Sequence, residues 1–156
     1  MPHALISNLV HCTFSTKNRE DSITDPATLA RYLGGVAKAK GIPLIIAGGT
    51  KNHVHVLIAL PASMPLSRAI QELKGNSSRW LNQQESGFAW QEGYAAFSLS
   101  PTNKRAVMRY IANQEQHHAK TSFEDELLEM LKKSGMAAVP APSVNGTTST
   151  ALDKIA

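Results

Sequence analysis

Two histidines separated by a single residue lie in an apolar stretch of the chain. His53 and His55 belong to "KNHVHVLIAL", residues 51 to 60, which has the length and composition of a buried β-strand. Side chains along a strand alternate between its two faces, so both imidazoles point the same way, with Cα atoms roughly 6 to 7 Å apart. Two imidazoles at that spacing can share a metal ion. The pattern also occurs on the solvated faces of ordinary sheets, so it indicates chemistry only together with other residues.

A tyrosine and a glutamine four residues apart are two such additional residues. Tyr110 and Gln114 are neighbours on one face of a predicted helix, and His117 and His118 continue this face by one turn. Two imidazoles and an amide oxygen would give a cation three ligands and leave positions for a phosphate oxygen and water. No thiolate belongs to this set, and the open positions are expected to meet phosphate. The donors therefore favour Mg²⁺ or Mn²⁺ over structural zinc.

These residues together predict a phosphodiester transfer. A cation so placed would polarise the phosphodiester, and the nearby positive charge would make the Tyr110 hydroxyl a usable nucleophile. Attack would leave a 5′-phosphotyrosine and release a free 3′-OH, which conserves the bond energy for rejoining the strand.

Length and composition limit the class of protein. The chain has 156 residues and a formal net charge of +4, which suits one domain with a proper core. Its single cysteine, Cys12, excludes an internal disulfide and a cysteine-based zinc cluster, and a reducing cytoplasm is the expected location. No apolar stretch approaches the roughly 20 residues that span a bilayer, and the N-terminus lacks a signal-peptide pattern, so no membrane association is expected.

Basic and acidic residues are segregated along the chain. No acid occurs between residues 26 and 71 or between Glu92 and Glu115, whereas Glu124, Asp125, Glu126 and Glu129 form an acidic group. This segregation favours a polyanionic partner such as nucleic acid. The basic residues predicted to contact nucleic acid are Lys17, Arg19, Lys51, Lys74, Arg79, Lys104, Arg105 and Arg109.

Hydrophobic periodicity and capping signals predict the order of elements. Strands are expected at residues 5–15, 43–49, 53–60 and 94–100. Helices are expected after the caps Asp25, Ser100 and Ser122 and after Pro65, with Pro26 and Pro101 at first helical positions and Gly41 and Gly135 at helix ends. The third helix is expected to run unbroken past His118.

The resulting β-α-β-β-α-β order, followed by two helices, predicts an α+β fold of the ferredoxin-like type. In this fold an antiparallel sheet carries its helices on one face, and the first and third strands are the central pair. His11, His53 and His55 are then expected on the other, open face. Residues 1–136 form the predicted domain, and residues 137–156, rich in Ala, Pro, Ser and Thr, are predicted to be a disordered tail.

The motifs resemble those of the small HUH-class tyrosine transposases that move single-strand insertion sequences, the TnpA type. "HVH" at 53–55 is similar to their His-hydrophobic-His element, and "YIANQ" at 110–114 to their catalytic Y-x-x-x-Q. The segments "VHCTFSTKNR", "LKGNSSRW", "WQEGYAAFSLSP" and "QEQHHAKTSFEDE" also resemble members of this class.

This resemblance implies a transposase that cleaves and rejoins single-stranded DNA at the hairpin-bearing ends of an insertion sequence. It implies His53, His55 and Gln114 as ligands of Mg²⁺ or Mn²⁺, and Tyr110 as nucleophile. It also implies a homodimer. Because the first two helices cover one sheet face while His53 and His55 point from the other, the third helix is expected to have to leave its own unit and lie against the partner's sheet. The active sites are therefore predicted to be shared between subunits.

Four residues are predicted to have accessory roles. They are His11, Asn52, His117 and His118, and Asn52 stands where many proteins of the resembling class have an aspartate. Three alternatives remain open at this level. The chain could be a non-catalytic module that binds single-stranded nucleic acid, another HUH nickase of the replication-initiator or relaxase type, or a metal-dependent hydrolase that uses water.

Overall fold

The three-dimensional structure is a computed structural model that describes residues 4–136, so the predicted disordered tail at residues 137–156 lies outside the described residues. The strands are β1 (Leu9–Ser15), β2 (Leu44–Gly49), β3 (His53–Ala59) and β4 (Ala95–Leu99). The helices are α1 (Pro26–Ala39), α2 (Leu66–Gln84), α3 (Lys104–Ala112), α4 (Gln114–His118) and α5 (Phe123–Lys133). None of the helices within residues 4–136 has the length and apolar character needed to cross a membrane.

The four strands form one antiparallel sheet in the order β2-β3-β1-β4, with β1 and β3 at its centre. The predicted ferredoxin-like arrangement is confirmed. The register pairs Thr13 with His55 and Ser15 with His53, and it pairs Gly48 of β2 with His55 on the other side. Since paired residues share a face, these five side-chain positions lie together on one side of the sheet.

On the opposite side, α1 and α2 cover alternate residues of the strands and form the main core. Val54, Val56 and Ile58 of β3 are all buried there. Both tryptophans of the chain, Trp80 and Trp90, also pack against this core. Each fully buried aliphatic side chain contributes about 1.5–3 kcal/mol, so this layer supplies most of the hydrophobic stabilisation.

The face that carries the histidines is covered, contrary to the expectation that it is open. His53 and His55 have no exposed surface, and His11 is 7% exposed. The three C-terminal helices lie over this face, with α3 against β2 and β3, and α5 anchored by Phe123, Leu127 and Leu131 near Ala95. The expectation was wrong because the predicted fold carries helices on one face only, whereas here α3, α4 and α5 cover the second face and its polar side chains hydrogen-bond to one another.

Several local signals are confirmed by hydrogen bonds. The Asp25 carboxylate accepts from the backbone N–H of Thr28, and Ser122 Oγ accepts from the N–H of Asp125, as N-caps do. Gly41 and Gly135 end their helices with φ of +70° and +71°.

Three boundaries differ from the prediction. β1 begins at Leu9 rather than at residue 5, because its ladder with β3 ends at the Leu9–Ala59 pair, and Ile6 is 54% exposed. Ser100 bonds the Thr102 hydroxyl instead of capping a backbone N–H, and the first turn after it is a 3₁₀ turn. The third helix is interrupted at Asn113, a residue of poor helix propensity, and so forms α3 and α4.

Candidate active site

The centre of β3 supplies the histidine pair. The ring centroids of His53 and His55 are 5.1 Å apart, as the alternation of side chains along the strand requires. His55 is held at both ring nitrogens: Nδ1 lies 2.8 Å from Nε2 of His11, and Nε2 lies 2.7 Å from a carboxylate oxygen of Glu126. Because a carboxylate only accepts, His55 donates from Nε2, and the network then assigns the proton of the His11–His55 bond to His11.

The tight turn between β2 and β3 orients His53. Nδ1 of His53 lies 2.8 Å from Oδ1 of Asn52, and the Thr50 hydroxyl donates to the same amide oxygen at 3.1 Å. An amide oxygen accepts, so His53 donates from Nδ1 and its Nε2 carries a lone pair. Asn52 therefore fixes the tautomer of His53 without a charge, which gives a physical basis for its predicted accessory role.

A glycine lets α3 approach the sheet beside the histidines. Gly48 of β2 pairs with His55 of β3, and a Cβ built at Gly48 would lie 2.4 Å from the carbonyl oxygen of Ile111. Only a residue without a side chain allows the end of α3 to lie this close to β2. Tyr110, the residue before Ile111, is thereby placed with its ring centroid 5.6 Å from that of His55.

Gln114 follows the break at Asn113 and is 1% exposed. Its Oε1 lies 3.0 Å from Nε2 of His53, and its Nε2 donates to the Glu126 carboxylate at 3.2 Å. Tyr110 and Gln114 therefore both reach their own chain's histidine pair. The premise that the third helix must leave its unit to do so is wrong.

A buried carboxylate from α5 lies at the centre of the cluster, and sequence analysis did not identify it. Glu126 is 2% exposed. It accepts hydrogen bonds from the Tyr110 hydroxyl, from His55 and from the Gln114 amide, and its Oε1 lies 3.5 Å from Nε2 of His53. One carboxylate thus connects the tyrosine, the glutamine and both histidines of the two motifs.

The two histidines of α4 contact the same carboxylate in different ways. His118 donates from Nδ1 to the Thr121 carbonyl at 2.7 Å, and its Nε2 lies 2.9 Å from Oε2 of Glu126. Nε2 of His117 is 3.2 Å from that oxygen, within ion-pair distance, yet it makes no hydrogen bond. Of the two, His118 is the one whose ring nitrogens both lie within hydrogen-bonding distance of a partner.

The protonation of the cluster follows from its burial. Desolvation, with the neighbouring His55, lowers the pKa of His11 and of His53 to about 3, so both are neutral at pH 7. Desolvation and the bond to Glu126 raise the pKa of Tyr110 above its ordinary value. Burial alone would oppose ionisation of Glu126, but hydrogen bonds from His55 and from the Tyr110 hydroxyl hold the pKa of this carboxyl below its usual range.

The donor atoms converge closely enough to hold a cation. One ligand atom from each of His53, His55, His118 and Glu126 lies within 4.8 Å of every other. Cis ligands of an octahedral ion with bonds of about 2.1 Å are about 3 Å apart and trans ligands about 4.2 Å, so this spacing fits a single metal ion. Imidazole and carboxylate are suitable donors for a divalent transition metal.

Comparisons with known proteins agree with this geometry. The family model described as "Transposase IS200 like" matches residues 5–114. The chain belongs to the IS200-like transposases. It is therefore a DNA transposase, and the family match favours this function over the non-catalytic module and the water-dependent hydrolase considered above. No match is found among curated protein sequences.

Two solved structures share the fold of the transposase. One is a crystal structure of a protein assigned as a transposase from Deinococcus radiodurans, with a TM-score of 0.57 and 21% identity over 73% of this chain and 96% of that one. The other is a REP-associated tyrosine transposase bound to a REP hairpin, with a TM-score of 0.58 and 15% identity over 78% of this chain and 74% of that one.

The basic residues predicted to contact DNA occupy different surroundings in the transposase. Arg105 and Arg109 are exposed on α3, and Lys104 is partly exposed at its start. A groove of about 540 Å³ beside them is lined by Arg109, Tyr110, His117 and Lys120, among others, and leads to the tyrosine. These cations are well placed to meet a phosphate backbone.

The other predicted contacts lie elsewhere. Lys74 donates to the carbonyls of Gln91 and Gly93 at 2.7 and 2.9 Å, so its ammonium already has partners within the chain. Arg19 pairs with Glu124 at 2.8 Å, and Arg79 donates to Asn76. Lys17 and Lys51 are exposed.

A sequence signal for Glu126 does exist in the transposase. The apolar face of α5 runs through Phe123, Leu127 and Leu131, and Glu126 falls on this face one turn after Phe123. A charged residue within a buried stripe requires a partner, which distinguishes Glu126 from its exposed neighbour Asp125. Its place within an acidic run concealed this signal.

Proposed function

We propose that Tyr110 is the nucleophile with which this transposase cleaves and rejoins single-stranded DNA. The observation that carries the proposal is the Tyr110 hydroxyl, which shares one carboxylate, Glu126, with the buried His55. The phenolic oxygen bonds to phosphorus while the bond from phosphorus to the 3′ oxygen breaks, leaving a 5′-phosphotyrosine and a free 3′-OH. Attack by a 3′-OH on this intermediate reverses the step and rejoins a strand.

The residues fit a divalent metal ion, Mg²⁺ or Mn²⁺, held by His53, His55 and Gln114. The fit is supported by a conflict between two acceptors. Nε2 of His53 carries a lone pair and lies 3.0 Å from Oε1 of Gln114, so neither atom has a proton to donate to the other. Flipping the amide would turn its oxygen toward the Glu126 carboxylate, so no orientation of Gln114 removes the conflict. When bound, the ion supplies Lewis-acid stabilisation of charge on the phosphate oxygens.

The chain's own residues have separate roles in this proposal. Asn52 keeps the proton of His53 on Nδ1. With an ion at its Nε2, His55 would carry its proton on Nδ1 and donate it to Nε2 of His11, 2.8 Å away, so both imidazoles would present an Nε2 lone pair to the pocket. The burial of this face excludes bulk water, which protects the phosphotyrosine from hydrolysis. Arg105 and Arg109 bind the strand that approaches Tyr110.

The proposed substrate is DNA with hairpins near the ends of an insertion sequence. Support comes from the REP hairpin bound by the structurally similar REP-associated transposase. The exposed cations of α3 suit a flexible single strand, so an unbroken duplex is expected to be a poor substrate. The cytoplasmic location expected from the sequence stays a prediction.

We infer that each active site is built within one chain, since Tyr110, His55 and Glu126 of a single chain are in contact. The homodimer stays a prediction from sequence. Exchange of α3 between two subunits is the competing arrangement, and a complementation experiment decides between them.

The test of the nucleophile is a covalent adduct. Wild-type protein, incubated with Mn²⁺ and a labelled single-stranded hairpin oligonucleotide, should yield a protein–DNA band that survives denaturation. Tyr110→Phe should lose this band and keep DNA binding, because only a hydroxyl is removed. Tyr32→Phe is the matched control, since the Tyr32 hydroxyl makes only a 3.4 Å contact with Asn76 between α1 and α2. An adduct that persists in Tyr110→Phe would refute the assignment.

A further inference from the structure

Glu126 is a buried charge whose ion-pair partners are all histidines. Within residues 4–136, every basic group within 4.0 Å of its carboxylate belongs to His53, His55, His117 or His118, and none to a lysine or arginine. Burying an ionised carboxylate without a permanent positive partner is strongly unfavourable. Proteins offset that cost with a proton on a neighbour or with a bound cation.

The protons of the neighbouring imidazoles are already committed elsewhere. His118 donates from Nδ1 to the Thr121 carbonyl, so the Nε2 of a neutral His118 presents a lone pair to Glu126 Oε2 at 2.9 Å. His53 donates from Nδ1 to Asn52, so its Nε2 also presents a lone pair, to Gln114 Oε1 and toward Glu126 Oε1 at 3.5 Å. Two lone pairs, an amide oxygen and a carboxylate therefore converge on one small volume.

We propose that Glu126 and His118 are ligands of the metal ion, together with His53 and His55, and that the site prefers Mn²⁺ to Mg²⁺. The inference rests on the metal-dependent function proposed above and extends its ligand set. The four donor atoms all lie within 4.8 Å of one another. A cation among them removes both lone-pair conflicts and neutralises the buried carboxylate.

The chemistry of this donor set determines the preference for the metal. Mg²⁺ favours oxygen ligands and retains its waters, whereas imidazole binds first-row transition metals better. A site with three imidazoles, one carboxylate and the Gln114 amide oxygen is therefore better suited to Mn²⁺ than a site with two imidazoles and the amide oxygen alone.

The position of these two ligands in the chain has a further consequence. The family model matches residues 5–114, so His118 and Glu126 both lie beyond the matched segment. The cap at Ser122 and the anchors Phe123 and Leu127 place Glu126 under the sheet. In this chain α5 is therefore part of the metal site and not only a cover for it.

Calorimetric titration of the full chain with MnCl₂ and with MgCl₂, without DNA, tests the proposal. Wild-type protein should bind one Mn²⁺, and should bind it more tightly than Mg²⁺. Glu126→Gln keeps the shape and removes the charge, and it should weaken Mn²⁺ binding at least about tenfold. Glu129→Gln is the matched control, because Glu129 is on the same helix, is exposed, and within residues 4–136 forms its ion pair with Lys133 and not with the histidine cluster.

A second variant and a second readout keep the test decisive. His118→Gln should also weaken Mn²⁺ binding, and the rise in melting temperature that Mn²⁺ gives the wild type should shrink in both variants. Far-UV circular dichroism confirms that each variant is folded. Wild-type affinity in folded Glu126→Gln and His118→Gln would overturn the added ligands while leaving the proposed function intact. A wild type that forms the covalent adduct but binds no Mn²⁺ would overturn the metal site as a whole.

Discussion

The close approach of α3 to β2 makes Gly48 a position where one methyl group should disable the site. The Cβ of Gly48→Ala would lie 2.4 Å from the Ile111 carbonyl oxygen, whereas real Cβ contacts essentially never fall below 3.0 Å. The clashing atom is backbone, so no side-chain rotation can relieve it. The end of α3 must move outward by at least the difference between these distances, and Tyr110 moves with it.

Both stability and rate should respond to this movement. Overpacking of this kind costs about 1–3 kcal/mol, which lowers the melting temperature by roughly 3 to 10 °C for a chain of this size. Displacements approaching 1 Å at a reacting group cost about a hundredfold in rate, so adduct formation should slow about ten- to a hundredfold. The assay is the initial rate of covalent adduct formation with a hairpin oligonucleotide, alongside a thermal melt.

Gly35→Ala is the control for this experiment. Gly35 is exposed within α1, and a Cβ there would meet nothing within 4 Å. Alanine at a helix interior is more favourable than glycine by about 0.5–1 kcal/mol, so this variant should be slightly more stable and fully active. Wild-type melting and wild-type adduct rate in Gly48→Ala would refute the argument that this glycine positions Tyr110.

Three further predictions concern the histidine face. Asn52→Ala should slow metal-dependent adduct formation about tenfold or more, because His53 loses the acceptor that fixes its tautomer. Asn52→Asp keeps an acceptor oxygen and should retain the wild-type rate. Equal rates in the wild type and both variants would remove Asn52 from the site. When Tyr110→Phe is mixed with the double variant His53→Ala/His55→Ala under subunit exchange, cleavage should remain absent, and regained cleavage would establish sites shared between subunits. In the presence of a chelator, the melting temperature should fall as the pH drops from 6.5 toward 3. The pKa of His11 and His53 is about 3 in the folded chain against an ordinary 6.5, so the unfolded chain binds protons first and is favoured as the pH falls. A constant melting temperature from pH 7 to 4 would contradict this.

The sheet and its first helical layer could be predicted from sequence because their signals are local. The alternation of Val54 and Val56 with His53 and His55 assigned the two faces of β3, and Asp25 with Pro26 marked the start of α1. Each signal depends on residues within one or two turns of each other, so periodicity and capping are enough to identify it.

The second helical layer could not be predicted in the same way. Its packing depends on contacts between residues far apart in sequence, such as His55 with Glu126, which are separated by 71 positions. The sequence of each strand alone predicts a solvated polar face. Its burial can be predicted only when the distant residues that hydrogen-bond to it are known. The two motifs identified Tyr110 and Gln114, whereas Glu126 has no motif of its own.

The division of the molecule into two layers determines what an optical experiment on it can report. Trp80 stacks on Tyr32 at 4.2 Å, and Trp90 packs edge-on against Phe14, so both indoles of the chain belong to the layer built by α1 and α2. Tryptophan fluorescence should therefore follow melting of that layer while remaining insensitive to detachment of α5. The replacement Phe123→Trp, at a ring that lies 4.4 Å from that of His53, would give the layer of α3, α4 and α5 its own reporter.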